Sequence, residues 1–160
     1  MKKYTQMAKK ALDAAKRFSK SMHSSYVGTE HILAGLLKEG TGVAAEVLTA
    51  SGVKLEKLMQ LIEELIDPGE VVVSEGDGNS PRTQQVLENA AAEADRFRSE
   101  KIGTEHLLIA ILREGDCAAN RLLNTMGVNL QKLYVELLGA MGEDPQKYRE
   151  DFLRGSFSGR

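Results

Sequence analysis

The sequence predicts an all-α fold made of two tandem four-helix repeats that pack with pseudo-two-fold symmetry. The first observation is that the tetrapeptide Gly-Thr-Glu-His occurs twice, at residues 28–31 and again at 103–106. The second is that apolar residues recur in both halves with the three- and four-residue spacing of one helix face. The third is that neither half shows the two-residue alternation of a strand. Such a repeat constrains the whole fold, because each copy should form the same structural unit.

The repeat continues well beyond the tetrapeptide, always with an offset of 75 residues. Glu39-Gly40 corresponds to Glu114-Gly115, and Gly52-Val53 corresponds to Gly127-Val128. One repeat of about 70 residues could bury only a thin core alone, whereas two facing copies bury their apolar faces jointly. We therefore predict one domain at 1–142, with repeat one at 4–66, a connector at 67–79 and repeat two at 80–139, followed by a C-terminal tail or linker at 143–160.

The first two helices have recognisable starts. Thr5 can cap the first helix by accepting a backbone N–H, and the loss of the apolar pattern predicts a loop over 19–26. Thr29 is the predicted N-cap of the second helix, with Glu30 in the first turn, where a negative charge stabilises the helix dipole. Gly40 is predicted to end this helix.

Two further helices complete the first repeat, over about 43–50 and 54–66, and Asp67-Pro68-Gly69 ends the second of them. The segment 70–79 contains three valines, but no partner strand is evident, so we interpret it as a mobile connector. Ser80-Pro81 is a strong start signal for the next helix. The remaining elements are predicted at about 104–113, 117–125, 130–138 and 144–152, with a flexible end at 155–160.

Composition restricts the class of protein. The chain has 160 residues and a net charge of -2, which gives no general attraction to nucleic acid or to an anionic membrane. No apolar stretch approaches the roughly 20 residues that span a bilayer, and the N-terminus has no signal-peptide core. Cys117 is the single cysteine and cannot form an internal disulfide, which fits a reducing compartment. We expect a soluble, cytoplasmic protein.

The repeated glutamates are the main candidates for a binding site. A helix N-terminus presents unpaired backbone N–H groups that suit an anion, and a glycine before it allows close approach to the backbone. Glu30 and Glu105 would add a carboxylate in the same turn, so the combination suits a ligand with an anionic group beside a guanidinium. The alternative is that both glutamates only stabilise their helix dipoles, and the periodicity alone favours this simpler interpretation.

The residues do not predict an enzyme. His31 and His106 have no second histidine or cysteine at metal-ligand spacing, so hydrogen-bonding roles are favoured for them. Cys117 has no histidine nearby in sequence, and no phosphate-binding or dinucleotide-binding glycine motif occurs. We expect no catalytic residue, no metal and no cofactor.

The twin Gly-Thr-Glu-His motifs, each followed by an apolar helix, Glu-Gly and Gly-Val-x-Leu, resemble the Clp N-terminal domain of bacterial AAA+ protein unfoldases, most of all the ClpC type. The resemblance covers residues 4–139. It implies a domain that does not hydrolyse ATP but receives substrates and MecA-like adaptor proteins for an ATPase ring, which passes the substrates to the ClpP protease. The tail at 143–160 would then lead towards an ATPase domain.

The resemblance also implies a receptor for phosphoarginine, the mark that labels proteins for degradation. The glutamates would contact the modified guanidinium, and the neighbouring helix starts would supply N–H groups to the phosphate. The implied phosphoarginine-binding residues are Gly28, Thr29, Glu30, Gly103, Thr104, Glu105, Thr5 and Ser80. The family often has an aromatic residue before both helix starts; Tyr4 keeps it and Asn79 does not, so the two sites should differ.

Two other classes of function are alternatives to this hypothesis. One is a protein–protein interaction module that binds adaptors and ignores phosphoarginine. The other is a stand-alone hydrolase, which has almost no support in the sequence.

Overall fold

The computed structural model describes residues 2–66 and 78–148. The helices in these two ranges are α1 Gln6–Ser21, α2 Thr29–Glu39, α3 Val43–Ala50, α4 Leu55–Leu65, α5 Pro81–Arg96, α6 Thr104–Arg113, α7 Ala118–Thr125 and α8 Leu130–Ala140, followed by a 3-10 turn at Pro145–Tyr148. The predicted all-α class is confirmed. None of these helices is long and apolar enough to cross a bilayer.

The core is built around α2 and α6, the helices that follow the two tetrapeptides. Both are buried on nearly all sides, as expected for helices that are apolar all round. Buried apolar residues from both repeats form one continuous cluster. The two copies therefore bury their apolar faces against each other.

The crossing of α1 and α2 is unusually close at Gly35. A Cβ atom added there would lie 2.2 Å from the backbone oxygen of Ala11. In repeat two the equivalent position is Ala110, which is buried in the core. The first and second helices of repeat one thus approach each other more closely at this point than their counterparts do.

Two single-residue parallel bridges connect the repeats. Tyr4 pairs with Ile102, and Val27 pairs with Asn79. The two bridges are related by the offset of 75 residues, so each repeat contributes the same two positions. As a result, the start of α1 lies beside the second tetrapeptide and the start of α5 lies beside the first.

Several predicted boundaries differ from the structure. Helix α1 continues to Ser21, past the predicted loop start at residue 19, because the buried Ser19 hydroxyl is satisfied by donating to the Tyr26 carbonyl at 2.6 Å. Asn79, the last residue of the predicted connector, is buried and paired. The other predictions for Asp67-Pro68-Gly69, for the valines and for residues 149–160 lie outside the described residues.

Candidate functional site

Each tetrapeptide begins its helix in the same way, but not as predicted. The N-cap residues are Gly28 and Gly103, so the prediction that Thr29 caps α2 is wrong. The third helical residue takes over the capping role, because His31 Nδ1 accepts the Gly28 N–H at 2.9 Å. His106 Nδ1 accepts the Gly103 N–H at the same distance. The histidine side chain therefore satisfies a backbone donor just outside each helix, as in a capping box.

The two threonines instead cap helices of the opposite repeat. Thr29 Oγ1 accepts the Ala119 N–H in the first turn of α7 at 3.1 Å. Thr104 Oγ1 accepts the Ala44 N–H in the first turn of α3 at 3.4 Å. The N-cap residues of α3 and α7 form no side-chain capping bond of their own. The threonines thus satisfy buried helix-end donors across the repeat boundary.

Burial keeps both histidines in the form that can accept these bonds. Desolvation lowers the pKa of His31 below its ordinary value of 6.5, and the adjacent Glu30 charge opposes the shift. Desolvation likewise lowers the pKa of His106; Glu105 opposes this shift and Lys2 adds to it. A neutral imidazole retains an acceptor nitrogen, whereas a protonated one has none.

The Glu30 carboxylate is enclosed by protein atoms. Glu30 is only 1% exposed, and its Oε2 accepts a hydrogen bond from the Tyr26 hydroxyl at 3.0 Å. Its Oε1 lies over Gly28, where an added Cβ would be 2.2 Å away. The side chain is therefore folded back onto the glycine that precedes its helix.

The Glu105 carboxylate folds back in the same way but is more open. An added Cβ at Gly103 would lie 2.3 Å from Glu105 Oε1. Glu105 is nevertheless partly exposed, and the position equivalent to Tyr26 holds Lys101, which is exposed. Within 2–66 and 78–148, no side chain donates a hydrogen bond to Glu105. The two glutamates share a backbone position and differ in accessibility.

A groove of about 550 Å³ joins the first tetrapeptide to the start of α5 and the start of α7. Glu30 and Ser80 both line it, although they belong to different repeats. Ser80 Oγ accepts the Thr83 N–H at 3.1 Å, and the Ser80 N–H donates to the Val27 carbonyl at 3.0 Å. The backbone N–H groups of Ser80 and Thr83 are therefore satisfied internally. We call this groove the Glu30 site.

Two arginines that line the Glu30 site were missed by the sequence analysis. Arg82 lies 3.4 Å from Glu114 and Arg121 lies 3.3 Å from Asp116, both as exposed ion pairs. Arg82 follows Ser80 by two residues, so its place in the first turn of α5 could have identified it. Arg121 reaches the groove only because α7 packs against the start of α2, which no local sequence signal indicates.

The Glu105 site comprises Gly103, Thr104 and Glu105 beside the start of α1. The Thr5 N–H donates to the Ile102 carbonyl at 2.9 Å, and Thr5 Oγ1 accepts the N–H of Ala8 at 3.1 Å. Thr5 is thus adjacent to the second tetrapeptide, as Ser80 is to the first.

The arginines of the Glu30 site have no basic counterparts in repeat one. By the offset of 75 residues, Met7 corresponds to Arg82 and Glu46 corresponds to Arg121. The two sites therefore differ in charge as well as in the exposure of their glutamates.

No metal-binding cluster of three or more histidine, cysteine or acidic residues occurs in the part of the chain that the structure describes. Cys117 is buried, and burial raises the pKa of its thiol. A protonated, buried thiol is a poor nucleophile.

Comparison with known proteins agrees with the fold and the repeat. The profile of the family described as the Clp repeat (R) N-terminal domain matches residues 3–124 and 78–154. The negative regulator of genetic competence ClpC/MecB of Bacillus subtilis is 37% identical over 142 residues, which is 89% of this chain and 17% of that protein. The chloroplastic chaperone protein ClpC1 of Oryza sativa is 34% identical over 144 residues, 90% of this chain and 16% of that protein.

Solved structures show the same fold at lower sequence identity. The N-terminal domain of the chaperone ClpD of Arabidopsis thaliana superposes with a TM-score of 0.71 at 22% identity, covering 87% of this chain and 97% of that one. The N-terminal domain of Hsp104 of Candida albicans has a TM-score of 0.70 at 14% identity, covering 89% and 93%. Since the family profile spans most of the sequence, the chain belongs to the Clp repeat N-terminal domain family.

Proposed function

We propose that the chain is the substrate- and adaptor-recognition domain of a ClpC-type AAA+ unfoldase and that it binds phosphoarginine-marked proteins. The observation that carries this proposal is the pair of glutamates in the first turns of α2 and α6, each beside a helix start of the opposite repeat. Two ligand sites per chain follow from the duplication.

The Glu30 site supports the chemistry of a phosphorylated guanidinium. A carboxylate can form two parallel hydrogen bonds to a guanidinium, and Glu30 lines the groove. In the same groove, the phosphate would bind near the positive end of α5 and the guanidinium groups of Arg82 and Arg121. Carboxylate and cations in one groove match a ligand that carries both signs of charge.

The proposed function also involves further domains and partner proteins. The chain spans about a sixth of the length of the relatives it matches, so we propose that it acts within, or as part of, a longer ATPase. In that setting the domain would bind MecA-like adaptors and marked substrates, the ATPase ring would unfold them, and ClpP would degrade them. A cytoplasmic location fits this role. The domain itself would contribute binding and no catalytic step.

A second candidate function is adaptor binding without phosphoarginine recognition. One observation favours it: Glu30 is almost completely buried and already hydrogen-bonded to Tyr26. A glutamate with only this structural role would stabilise the start of α2 and bind no ligand.

Calorimetry distinguishes the two functions. A peptide carrying one phosphoarginine is titrated into the wild type and into the Glu30→Ala, Glu105→Ala double variant, and the same peptide with plain arginine serves as the ligand control. The matched protein control replaces two exposed glutamates, Glu88→Ala and Glu136→Ala, which removes the same charge. We expect binding by the wild type and by the control variant, and none by the double variant. Equal affinity of the double variant would reject the phosphoarginine assignment.

A further inference from the structure

The two carboxylates that the proposed function assigns to ligand binding are not equally available. Glu30 Oε2 accepts from the Tyr26 hydroxyl and Glu30 Oε1 is packed over Gly28. With 1% of the residue exposed, a guanidinium has no free carboxylate edge to approach. Glu105 has the same backbone setting and keeps part of its surface open.

Tyr26 is held in place independently of Glu30. Its carbonyl accepts hydrogen bonds from the hydroxyls of Ser19 at 2.6 Å and Ser24 at 2.9 Å. Its ring meets the His31 ring edge-on, with the centroids 5.9 Å apart. The residue is 6% exposed. These contacts place the hydroxyl against the carboxylate without any contribution from a ligand.

The groove offers space into which the Tyr26 hydroxyl could move. Tyr26 and Glu30 both line the groove of the Glu30 site. A side-chain rotation of either residue into that space would separate the hydroxyl from Oε2 and leave the backbone bonds of Tyr26 intact. Separating the Tyr26 hydroxyl from the Glu30 carboxylate therefore requires a rotamer change and no unfolding of α1 or α2.

We propose that Tyr26 is a latch that covers Glu30, so that the Glu30 site accepts phosphoarginine only after the Tyr26 hydroxyl has been displaced. This inference rests on the proposed function. A hydrogen bond to a charged acceptor is stronger than one between neutral groups, so the cost of breaking it should weaken the Glu30 site about tenfold relative to an unlatched one. Lys101 occupies the equivalent position in repeat two, so that position offers no tyrosine hydroxyl to cover Glu105.

Carboxyl labelling tests the latch without any phosphoarginine. The protein is treated with a carbodiimide and glycine ethyl ester, and the modification of Glu30 and Glu105 is followed by mass spectrometry of peptides. We expect rapid labelling of Glu105 and slow labelling of Glu30 in the wild type. Tyr26→Phe keeps the ring contact with His31 and should accelerate Glu30 labelling alone. Tyr4→Phe, which removes a hydroxyl from another tyrosine, should leave Glu30 labelling unchanged.

Calorimetry then measures the effect of the latch on binding. In the Glu105→Ala background, Tyr26→Phe should tighten phosphoarginine-peptide binding about tenfold. Equal labelling of Glu30 and Glu105 in the wild type, or unchanged or weaker binding after Tyr26→Phe, overturns the latch. A wild type that binds no phosphoarginine peptide defeats the proposed function instead, and the labelling rates still decide whether Tyr26 covers Glu30.

Discussion

The two repeats present the same tetrapeptide at the same helix start and surround it differently. In the Glu30 site the glutamate is buried under Tyr26 and two arginines line the groove. In the Glu105 site the glutamate is partly exposed, and Lys101, Met7 and Glu46 occupy the equivalent positions. The duplicated motif therefore sets where each carboxylate is placed, whereas residues outside the motif set whether a ligand can reach it.

The largest expected effect concerns the crossing of α1 and α2, which is closer than the equivalent crossing in repeat two. In Gly35→Ala the new Cβ would meet the Ala11 backbone oxygen at 2.2 Å, and a backbone atom inside a helix cannot move aside. We expect the free energy of unfolding to fall by about 3 kcal/mol, which is the upper end of the usual cost of overpacking a core. Urea denaturation measures it.

The control for this crossing is the reverse change in repeat two. Ala110→Gly should cost only about 1 kcal/mol, the propensity difference between the two residues within a helix. Equal losses in Gly35→Ala and Ala110→Gly would contradict the closer approach of α1 and α2.

The glycines before the two helices should also respond unequally to alanine. At Gly28 a Cβ would meet both the buried Glu30 carboxylate and a Tyr26 ring atom, the latter at 2.7 Å. At Gly103 the nearest atoms belong to the Glu105 carboxylate, which can swing into solvent. We expect Gly28→Ala to cost about 2 kcal/mol and Gly103→Ala less than about 1 kcal/mol. Thermal unfolding of both variants checks the order, and a larger loss in Gly103→Ala would be inconsistent with it.

Removing the two threonine hydroxyls that cap helices across the repeats should also lower stability by unequal amounts, with a smaller difference between the two variants. Thr29→Val and Thr104→Val keep the side-chain shape and leave the N–H of Ala119 or Ala44 without its acceptor. We expect Thr29→Val to cost about 1–2 kcal/mol, because its bond is 3.1 Å, and Thr104→Val to cost less, because its bond is 3.4 Å. Amide hydrogen exchange should show faster opening at the start of α7 in the first variant and of α3 in the second. Exchange that changes only in α2 or α6 would argue against capping across the repeats.

The smallest expected effect is a dependence of stability on pH. Burial lowers the folded-state pKa of His31 and His106 below 6.5, so the unfolded chain takes up protons first as the pH falls. Stability should therefore be lost as the pH drops below about 6.5. Protonation of each ring removes one acceptor from a backbone N–H, which is worth about 1 kcal/mol.

Glutamine at the same positions provides the control, because its side-chain oxygen can accept the capping bond without titrating. Denaturation of His31→Gln and His106→Gln at pH 7 and pH 5 should show a smaller drop than the wild type shows. A wild type that is equally stable at both pH values would contradict the assigned role of the two imidazoles.

The sequence was sufficient for the fold and only partly sufficient for the site. Local signals such as Ser80-Pro81 and the recurring apolar faces predicted the helices correctly, because capping and amphipathic spacing act within one or two turns. They misassigned Thr29, whose hydroxyl caps a helix about 90 residues further along the chain. The presence of Arg121 in the groove of the Glu30 site likewise depends on packing between the repeats. Tyr26 lies one turn before Glu30, but its hydrogen bond depends on the folded path between Ser19 and Gly28.

The most direct measurement is the titration of a phosphoarginine peptide into the two single variants, Glu30→Ala and Glu105→Ala, by calorimetry. If both sites bind and Tyr26 covers only the first, each variant will keep one binding event, the two affinities will differ, and adding Tyr26→Phe will tighten the event kept by Glu105→Ala about tenfold. Equal affinities in the two variants, or an event in Glu105→Ala that Tyr26→Phe leaves unchanged, would contradict unequal sites within a duplicated fold.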